Sequence, residues 1–202
     1  AILAGEPPPE GEFFNTKFGF MGYPPRPELP IYIAALSPKM LRLAGEIADG
    51  VMLWLCNPDY IRSVVVPEVA KGREKAGKGM DGFDVVAAVP AAVTDDRAAV
   101  LETMRGDLVT YMSLPFYRRM LERSGFEDEI AAFDEGMGAG DVDRAKAGIS
   151  ERMLDALAGI GSPDDVRAAV ERYREAGAVS PGVGAIPRTD FEATLEAAAE
   201  LL

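Results

Sequence analysis

Pro30-Ile31-Tyr32-Ile33-Ala34-Ala35-Leu36-Ser37-Pro38-Lys39-Met40-Leu41 is the stretch that decides the fold. Apolar residues run without a break over residues 31–36, a pattern typical of a short strand buried on both faces of a parallel sheet. Ser37 and Pro38 then supply a helix cap and a first-turn proline. Apolar side chains recur at helical spacing at Met40, Leu43, Ala44 and Ile47. A buried strand that leads directly into a helix predicts a parallel α/β architecture.

The same alternation of strand and helix continues along the chain. Further strands are predicted at residues 51–55, 84–93 and 183–186, each followed by a helical pattern. Pro90 lies inside the third strand and has no amide hydrogen, so we expect a bulge or a strand end there. Helices are also predicted over residues 163–176, with one apolar face, and over residues 191–202, where one side carries Phe191, Leu195, Ala198 and Leu202.

Residues 111–157 have helical patterns without a strand between them. Breaks at Pro115, Gly125 and residues 136–140 divide this stretch into two or three helices, which we interpret as an insertion before the last strand. A complete (β/α)₈ TIM barrel has about 250 residues, or roughly 30 for each strand and helix unit. The sequence therefore predicts an α/β fold that is the carboxyl-terminal half of such a barrel. Residues 1–202 would then form one domain whose amino-terminal portion is absent.

The first thirty residues have a different character. The opening Ala1-Ile2-Leu3-Ala4-Gly5 resembles the last turn of a helix that ends at a glycine. Residues 6–30 contain seven prolines and few periodic apolar positions. We expect an irregular connection there, with a short hairpin at residues 13–20.

Charge and hydropathy exclude several kinds of partner. The formal net charge is -12 at pH 7, from 21 Lys and Arg against 33 Asp and Glu, so most of the surface would repel a phosphate backbone. We therefore expect no nucleic acid partner. Apolar runs fall short of the roughly 20 residues that cross a bilayer, so we expect no membrane association and a cytoplasmic protein.

The cysteine and histidine content limits the kinds of disulfide, catalytic site and metal site that these residues can form. The single cysteine, Cys56, cannot form an internal disulfide, which fits a reducing compartment. With no basic neighbour to lower its pKa, it is expected to be a small buried apolar residue. The sequence contains no histidine, which excludes histidine-based triads and the usual zinc sites from these residues. We predict no metal site.

Ligands of parallel α/β proteins lie beyond the carboxyl ends of the strands. After the first strand, Ala34 and Ala35 leave space for a ligand to approach the backbone, and Ser37 offers a hydroxyl. The next helix begins with unpaired amides that carry a partial positive charge, to which Lys39 adds. This pattern predicts a phosphate cradle, although an ordinary Ser-Pro helix start would have the same sequence.

Other strand ends offer weaker candidates. The second predicted strand ends in Trp54-Leu55-Cys56-Asn57. Trp54 could form a pocket wall or could equally be a core aromatic. Asp95 and Asp96 are expected to cap a helix rather than act in acid-base chemistry. Arg188 follows the last strand, where its guanidinium could meet a phosphate or a carboxylate or could simply be exposed.

Taken in order, these residues resemble the luciferase-like monooxygenase family, and especially its branch that depends on the deazaflavin coenzyme F-420. The most specific block runs from Pro30 to Leu41 and continues as Leu43-Ala44-Gly45-Glu46-Ile47-Ala48-Asp49-Gly50-Val51. Further support comes from Tyr111 with Pro115 and Tyr117, from Gly125-Phe126, and from Gly161-Ser162-Pro163 leading to Glu175-Ala176-Gly177.

The resemblance implies an oxidoreductase that transfers a hydride between coenzyme F-420 and a small organic substrate, or an FMN-dependent monooxygenase. The residues implied to hold the phosphate or ribityl end of the cofactor are Ala34, Ala35, Leu36 and Ser37, with the amides of Lys39 and Met40. Trp54, Asn57 and Arg188 are expected in the substrate pocket. No catalytic residue is assigned, because the family's first four strands normally supply the acid-base residues.

Two other interpretations remain open on the residues alone. One is a non-catalytic half-barrel flavoprotein or assembly module, and the other is a sugar-phosphate isomerase or aldolase half-barrel, which rests on shared architecture only. An open sheet exposes its edges and an apolar inner face, so we also expect a homo-oligomer.

Overall fold

The computed structural model describes residues 4–13, 15, 17, 26 and 28–199. The chain divides into two compact units, Ala1–Ile31 and Tyr32–Leu202. In the first unit, Glu10 and Asn15 form an isolated antiparallel bridge, and Gly5 has a φ of 78°. The predicted helix end at residues 1–5 and the predicted hairpin at residues 13–20 fall largely outside the described residues.

The second unit is built on a sheet of five described strands, all paired in parallel. They are β1 (Tyr32–Ala34), β2 (Gly50–Leu53), β3 (Asp84–Val93), β4 (Gly159–Gly161) and β5 (Ser180–Ala185). The order is β1-β2-β3, and both β4 and β5 pair with β3. The α/β fold with a parallel sheet is thus confirmed. The prediction of four strands missed β4, because Gly159-Ile160-Gly161 is too short and too rich in glycine to show a strand pattern.

Helices connect the strands and form the predicted insertion. They are α1 (Pro38–Ile47), α2 (Pro58–Tyr60), a π-helical turn (Ile61–Val65), α3 (Val66–Lys75), α4 (Arg97–Met112), α5 (Pro115–Glu122), α6 (Glu127–Gly138), α7 (Val142–Ala147), α8 (Glu151–Leu157), α9 (Pro163–Glu175) and α10 (Phe191–Ala199). The insertion after α4 holds α5 to α8, whereas the sequence predicted two or three helices. The missed break precedes α8, where the Ser150 hydroxyl caps the helix by accepting from the Met153 N–H at 3.2 Å.

Pro90 neither ends β3 nor bulges it, so that expectation was wrong. Ala91 accepts a hydrogen bond from Ile186, just after β5, which shows that Ala91 points its polar backbone groups toward β5. Neighbouring residues of a strand point theirs to opposite edges, so the missing N–H of Pro90 faces the other edge. At that edge, β2 pairs with β3 only as far as Ala87, and β4 pairs with β3 from Ala91 onward. Pro90 lies in the gap between the two, where no neighbouring strand needs a hydrogen-bond donor.

The sheet is buried on one face and open on the other. Val51, Leu53 and Val85 are buried, whereas Met52 between the first two is 53% exposed. Tyr32 of β1 is 39% exposed, and β1 is an edge strand among the described strands. The prediction of a strand buried on both faces was therefore wrong for β1 and β2. The open apolar face that we expected for a partial barrel is present.

Of the apolar faces predicted for three helices, one is buried and two are largely exposed. The face predicted to be buried in α9 is buried, as shown by Val166, Ala169, Val170 and Tyr173. In α1 the residues Met40, Leu43 and Ile47 are instead exposed, and the buried contacts are made by Leu41, Ala44 and Gly45. In α10 the residues Phe191 and Leu195 are exposed, while Thr194 and Ala197 are buried.

Candidate functional site

A groove of about 350 Å³ opens at the carboxyl ends of β1 and β2. Its walls are formed by Ala34, Ala35, Leu36, Ser37, Met40, Met52, Trp54, Phe116 and Tyr117. Five of the six residues predicted to bind a cofactor thus lie together with Trp54. Lys39 is exposed next to them and is outside the lining. The groove sits where ligands of parallel α/β proteins bind.

The first turn of α1 borders this groove with free amide hydrogens. Ser37 occupies the cap position, but its hydroxyl makes no capping hydrogen bond. Among the described residues, the N–H groups of Ser37, Lys39 and Met40 have no hydrogen-bond partner. Unpaired amides at a helix start carry a partial positive charge and attract anions.

Three other helices that follow strands each pair one first-turn amide with a capping side chain. Asn57 caps α2, Asp96 caps α4 by accepting from the Ala99 N–H, and Ser162 caps α9 within a capping box. The predicted capping role of Asp96 is therefore confirmed. By comparison with these helices, α1 leaves its first amides available to a ligand.

The rest of the groove is apolar and aromatic. The rings of Phe116 and Tyr117 lie 4.9 Å apart, and the ring of Tyr117 meets Tyr111 edge-on at 5.1 Å. Trp54 stands 6.3 Å from Tyr111 and is 45% exposed. Such walls suit the uncharged part of a ligand whose anionic end lies at the α1 amides.

The three predicted substrate-pocket residues have different surroundings. Trp54 separates the main groove from a smaller space of about 110 Å³ that also touches Pro90 and Pro187. Asn57 is buried, and its Oδ1 accepts a hydrogen bond of 2.9 Å from the Tyr60 N–H. Arg188 is exposed beyond the carboxyl end of β5 with a φ of 67°. Of the three, only Trp54 lines the groove.

The residues Met52, Phe116 and Tyr117 line the groove but were not predicted as site residues. Met52 belongs to β2, and its exposure depends on the sheet having an open face. Phe116 and Tyr117 lie at the start of α5, more than 50 residues along the chain from Met52. The sequence around Pro115 predicts a helix boundary there but carries no sign that this boundary meets β1.

Cys56 is buried, and burial raises the pKa of its thiol above the ordinary value. The expectation of a small buried apolar residue is confirmed.

The described residues contain no group of three or more metal-ligating side chains close enough to hold an ion. Within the same part of the chain, no helix has the length and apolar character needed to span a membrane.

The fold and groove define a class: a portion of a (β/α) barrel with an uncapped helix start beside a groove at the carboxyl ends of its strands. A family profile described as luciferase-like monooxygenase matches residues 1–180. The chain therefore belongs to the luciferase-like monooxygenase family.

Relatives with described activities match along most of this chain. The chain is 32% identical over 170 residues to 5,10-methylenetetrahydromethanopterin reductase of Methanopyrus kandleri, which covers 84% of this chain and 48% of that protein. It is 33% identical over 171 residues to the reductase of the same name from Archaeoglobus fulgidus, covering 82% and 50%. The chain thus spans about half the length of the curated relatives that it matches.

Solved structures agree with this assignment. The coenzyme F-420-dependent tetrahydromethanopterin reductase of Methanopyrus kandleri superposes with a TM-score of 0.77 at 28% identity, covering 98% of this chain and 58% of that one. An F-420-dependent secondary alcohol dehydrogenase superposes with a TM-score of 0.68 at 17% identity, covering 100% and 57%, a likeness in fold alone.

Proposed function

We propose that this chain is the carboxyl-terminal part of an oxidoreductase that transfers a hydride between coenzyme F-420 and a small organic substrate. The observation that carries the proposal is the uncapped start of α1, which opens into the groove at the ends of β1 and β2. The solved reductase of Methanopyrus kandleri, 28% identical to this chain, is named as dependent on coenzyme F-420, which favours that cofactor over FMN.

The residues at the groove fit a phosphorylated flavin-like cofactor. The N–H groups of Ser37, Lys39 and Met40 would hold the phosphate, and the small side chains of Ala34 and Ala35 let the ribityl chain approach the backbone. When bound, the deazaflavin ring accepts or donates a hydride. The apolar walls would exclude water from the uncharged part of the cofactor.

Substrate contacts remain part of the proposal. Trp54 would form one wall of the pocket, and Arg188 would meet an anionic group of the substrate from the end of β5. Asn57 would act indirectly, because its side chain is buried and caps α2 by accepting from the Tyr60 N–H. We assign no acid-base residue among these.

We further propose that residues 1–202 form one barrel domain whose sheet is closed by strands outside the described ones. The exposed inner face around Met52 supports this, as does the pairing of β1 with only one other described strand. We also propose a homo-oligomer in the cytoplasm, since residues 1–202 on their own leave an apolar face open to a second copy.

The test is a titration of the full-length protein with coenzyme F-420 and, separately, with FMN, followed by an anaerobic assay of F-420 reduction or oxidation. Tight binding of F-420 with hydride transfer supports the proposal. Binding of FMN with oxygen consumption would favour a monooxygenase. Failure to bind either compound would refute the proposal and favour an assembly module or a sugar-phosphate enzyme.

A further inference from the structure

A buried tyrosine, Tyr60, forms a hydrogen bond with the loop between β1 and α1. The hydroxyl of Tyr60 donates a 2.9 Å hydrogen bond to the carbonyl oxygen of Leu36, and Tyr60 itself is 2% exposed. Leu36 precedes the first residue whose free N–H borders the groove, which is Ser37. This bond therefore acts on the one peptide unit that joins the strand to the anion-binding turn.

The geometry of that peptide unit links the bond to ligand binding. In a planar trans peptide the C=O of one residue and the N–H of the next point in opposite directions. Holding the Leu36 carbonyl toward Tyr60 therefore turns the Ser37 N–H away from Tyr60. That N–H belongs to Ser37, which is exposed and lines the groove.

Several irregular features before and after Tyr60 determine where its hydroxyl lies. Leu55 has a φ of 52°, a left-handed conformation that is uncommon for a residue other than glycine. Asn57 then caps α2 through the Tyr60 N–H, and the π-helical turn Ile61–Val65 follows at once. Non-glycine positive φ values and π-helical turns are both frequent at functional sites. Here they flank a single tyrosine whose hydroxyl reaches the loop.

The Tyr60 hydroxyl also interacts with a residue at the carboxyl end of α5. The guanidinium of Arg123 interacts with it from the carboxyl end of α5, the helix whose start supplies Phe116 and Tyr117. Burial raises the pKa of Tyr60 above its ordinary value, while Arg123 acts in the opposite direction. The hydroxyl therefore stays protonated near neutral pH and remains a donor to Leu36.

We propose that Tyr60 is a positioning residue that orients the Leu36–Ser37 peptide so that the Ser37 N–H can bind the phosphate of the cofactor. This inference rests on the proposed function and adds to it a residue that touches neither cofactor nor substrate. Tyr60 would affect binding of the anionic end of the ligand and would not affect binding of the deazaflavin ring.

The test compares the full-length protein with its Tyr60→Phe variant in binding two compounds. The first is coenzyme F-420, and the second is the same deazaflavin with its ribityl chain but without the phosphate. Loss of one hydrogen bond should weaken binding of F-420 by about three- to tenfold. Binding of the phosphate-free compound should stay unchanged, because the bond acts only on the phosphate turn.

Tyr173→Phe is the matched control. Tyr173 is also buried, and its hydroxyl donates a 2.9 Å hydrogen bond to the Leu157 carbonyl; neither residue lines the groove. It should lower the thermal midpoint much as Tyr60→Phe does, while both affinities keep the wild-type values. A second pair uses the cap of α2: Asn57→Ala should reproduce the selective loss, and Asn57→Ser, which keeps an acceptor, should restore F-420 binding.

Two outcomes would overturn the positioning role: Tyr60→Phe binds F-420 as tightly as wild type, or it loses affinity for both compounds equally. Failure of the proposed function is visible separately, in the wild-type protein. If wild type binds F-420 no better than the phosphate-free compound, the anion site itself is refuted, and the role of Tyr60 with it.

Discussion

Gly45 in α1 packs so closely on Val69 in α3 that a β-carbon at Gly45 would lie 2.3 Å from the Val69 carbonyl oxygen. Gly72 of α3 makes the reciprocal approach, since its β-carbon would lie 2.0 Å from the carbonyl oxygen of Arg42. The two helices are therefore in backbone contact. This contact sets the position of α1, whose uncapped start borders the groove.

The first prediction concerns this helix contact. Gly45→Ala should lower the free energy of unfolding by about 1–3 kcal/mol, because the added methyl group has no space and the helices must separate. Chemical denaturation measures the change. The control is Gly106→Ala in α4, where a β-carbon would meet nothing within 4 Å. That variant should stabilise the protein by up to about 1 kcal/mol, and equal effects of the two substitutions would contradict the account.

The second prediction concerns pH. Glu68 in α3 forms ion pairs with Arg42 of α1 and, at 2.6 Å, with Lys71. The hydrogen bond from Arg42, followed by that from Lys71, lowers the pKa of Glu68 from 4.5 to about 2. Because the folded-state pKa is depressed, the stabilisation is present above pH 4.5 and is lost as the pH falls toward 2.

Glu68→Gln should therefore lower the thermal midpoint by about 2 °C at pH 7, a modest amount because the partners are solvated. The difference from wild type should shrink between pH 4.5 and pH 2. Glu74→Gln, at an exposed glutamate of the same helix, provides the control and should have little effect at any pH. A Glu68→Gln difference that grows on acidification would refute the assignment.

The third prediction uses the single tryptophan. Trp54 lines the groove and is 45% exposed, so its emission should respond to a cofactor bound there. Adding coenzyme F-420 should quench the emission and reduce the access of acrylamide to the indole. Emission and access that stay constant while F-420 binds by another readout would show that the cofactor lies elsewhere.

The fourth prediction concerns the single cysteine. Cys56 is 1% exposed, and burial raises the pKa of its thiol. It should not react with a chromogenic disulfide reagent in the native protein at pH 8, and it should release one equivalent of product after denaturation. Rapid reaction of the native protein would mean that the segment after β2 opens readily.

Much of the fold could be predicted because its signals are local. The uninterrupted apolar run of β3 gave its bounds correctly, and Ser162-Pro163 with Asp165 marks the start of α9 by a capping box. The turn that borders the groove could be predicted for the same reason, since two alanines, a serine and a proline lie close together in sequence.

The remaining features depend on contacts between distant residues. The stripe of Met40 and Leu43 was assigned to the core, but α1 buries Gly45 because only a glycine permits the approach of α3. Phe116 reaches the groove across the insertion, and the Tyr60–Leu36 bond joins residues 24 positions apart. Spacing along the chain contains no information on such pairings.

The most direct test of the account is a crystal structure of the full-length protein with coenzyme F-420 bound. Phosphate oxygens should then lie about 2.7–3.2 Å from the backbone nitrogens of Ser37, Lys39 or Met40. A phosphate bound away from the start of α1, with those amides still free, would contradict it.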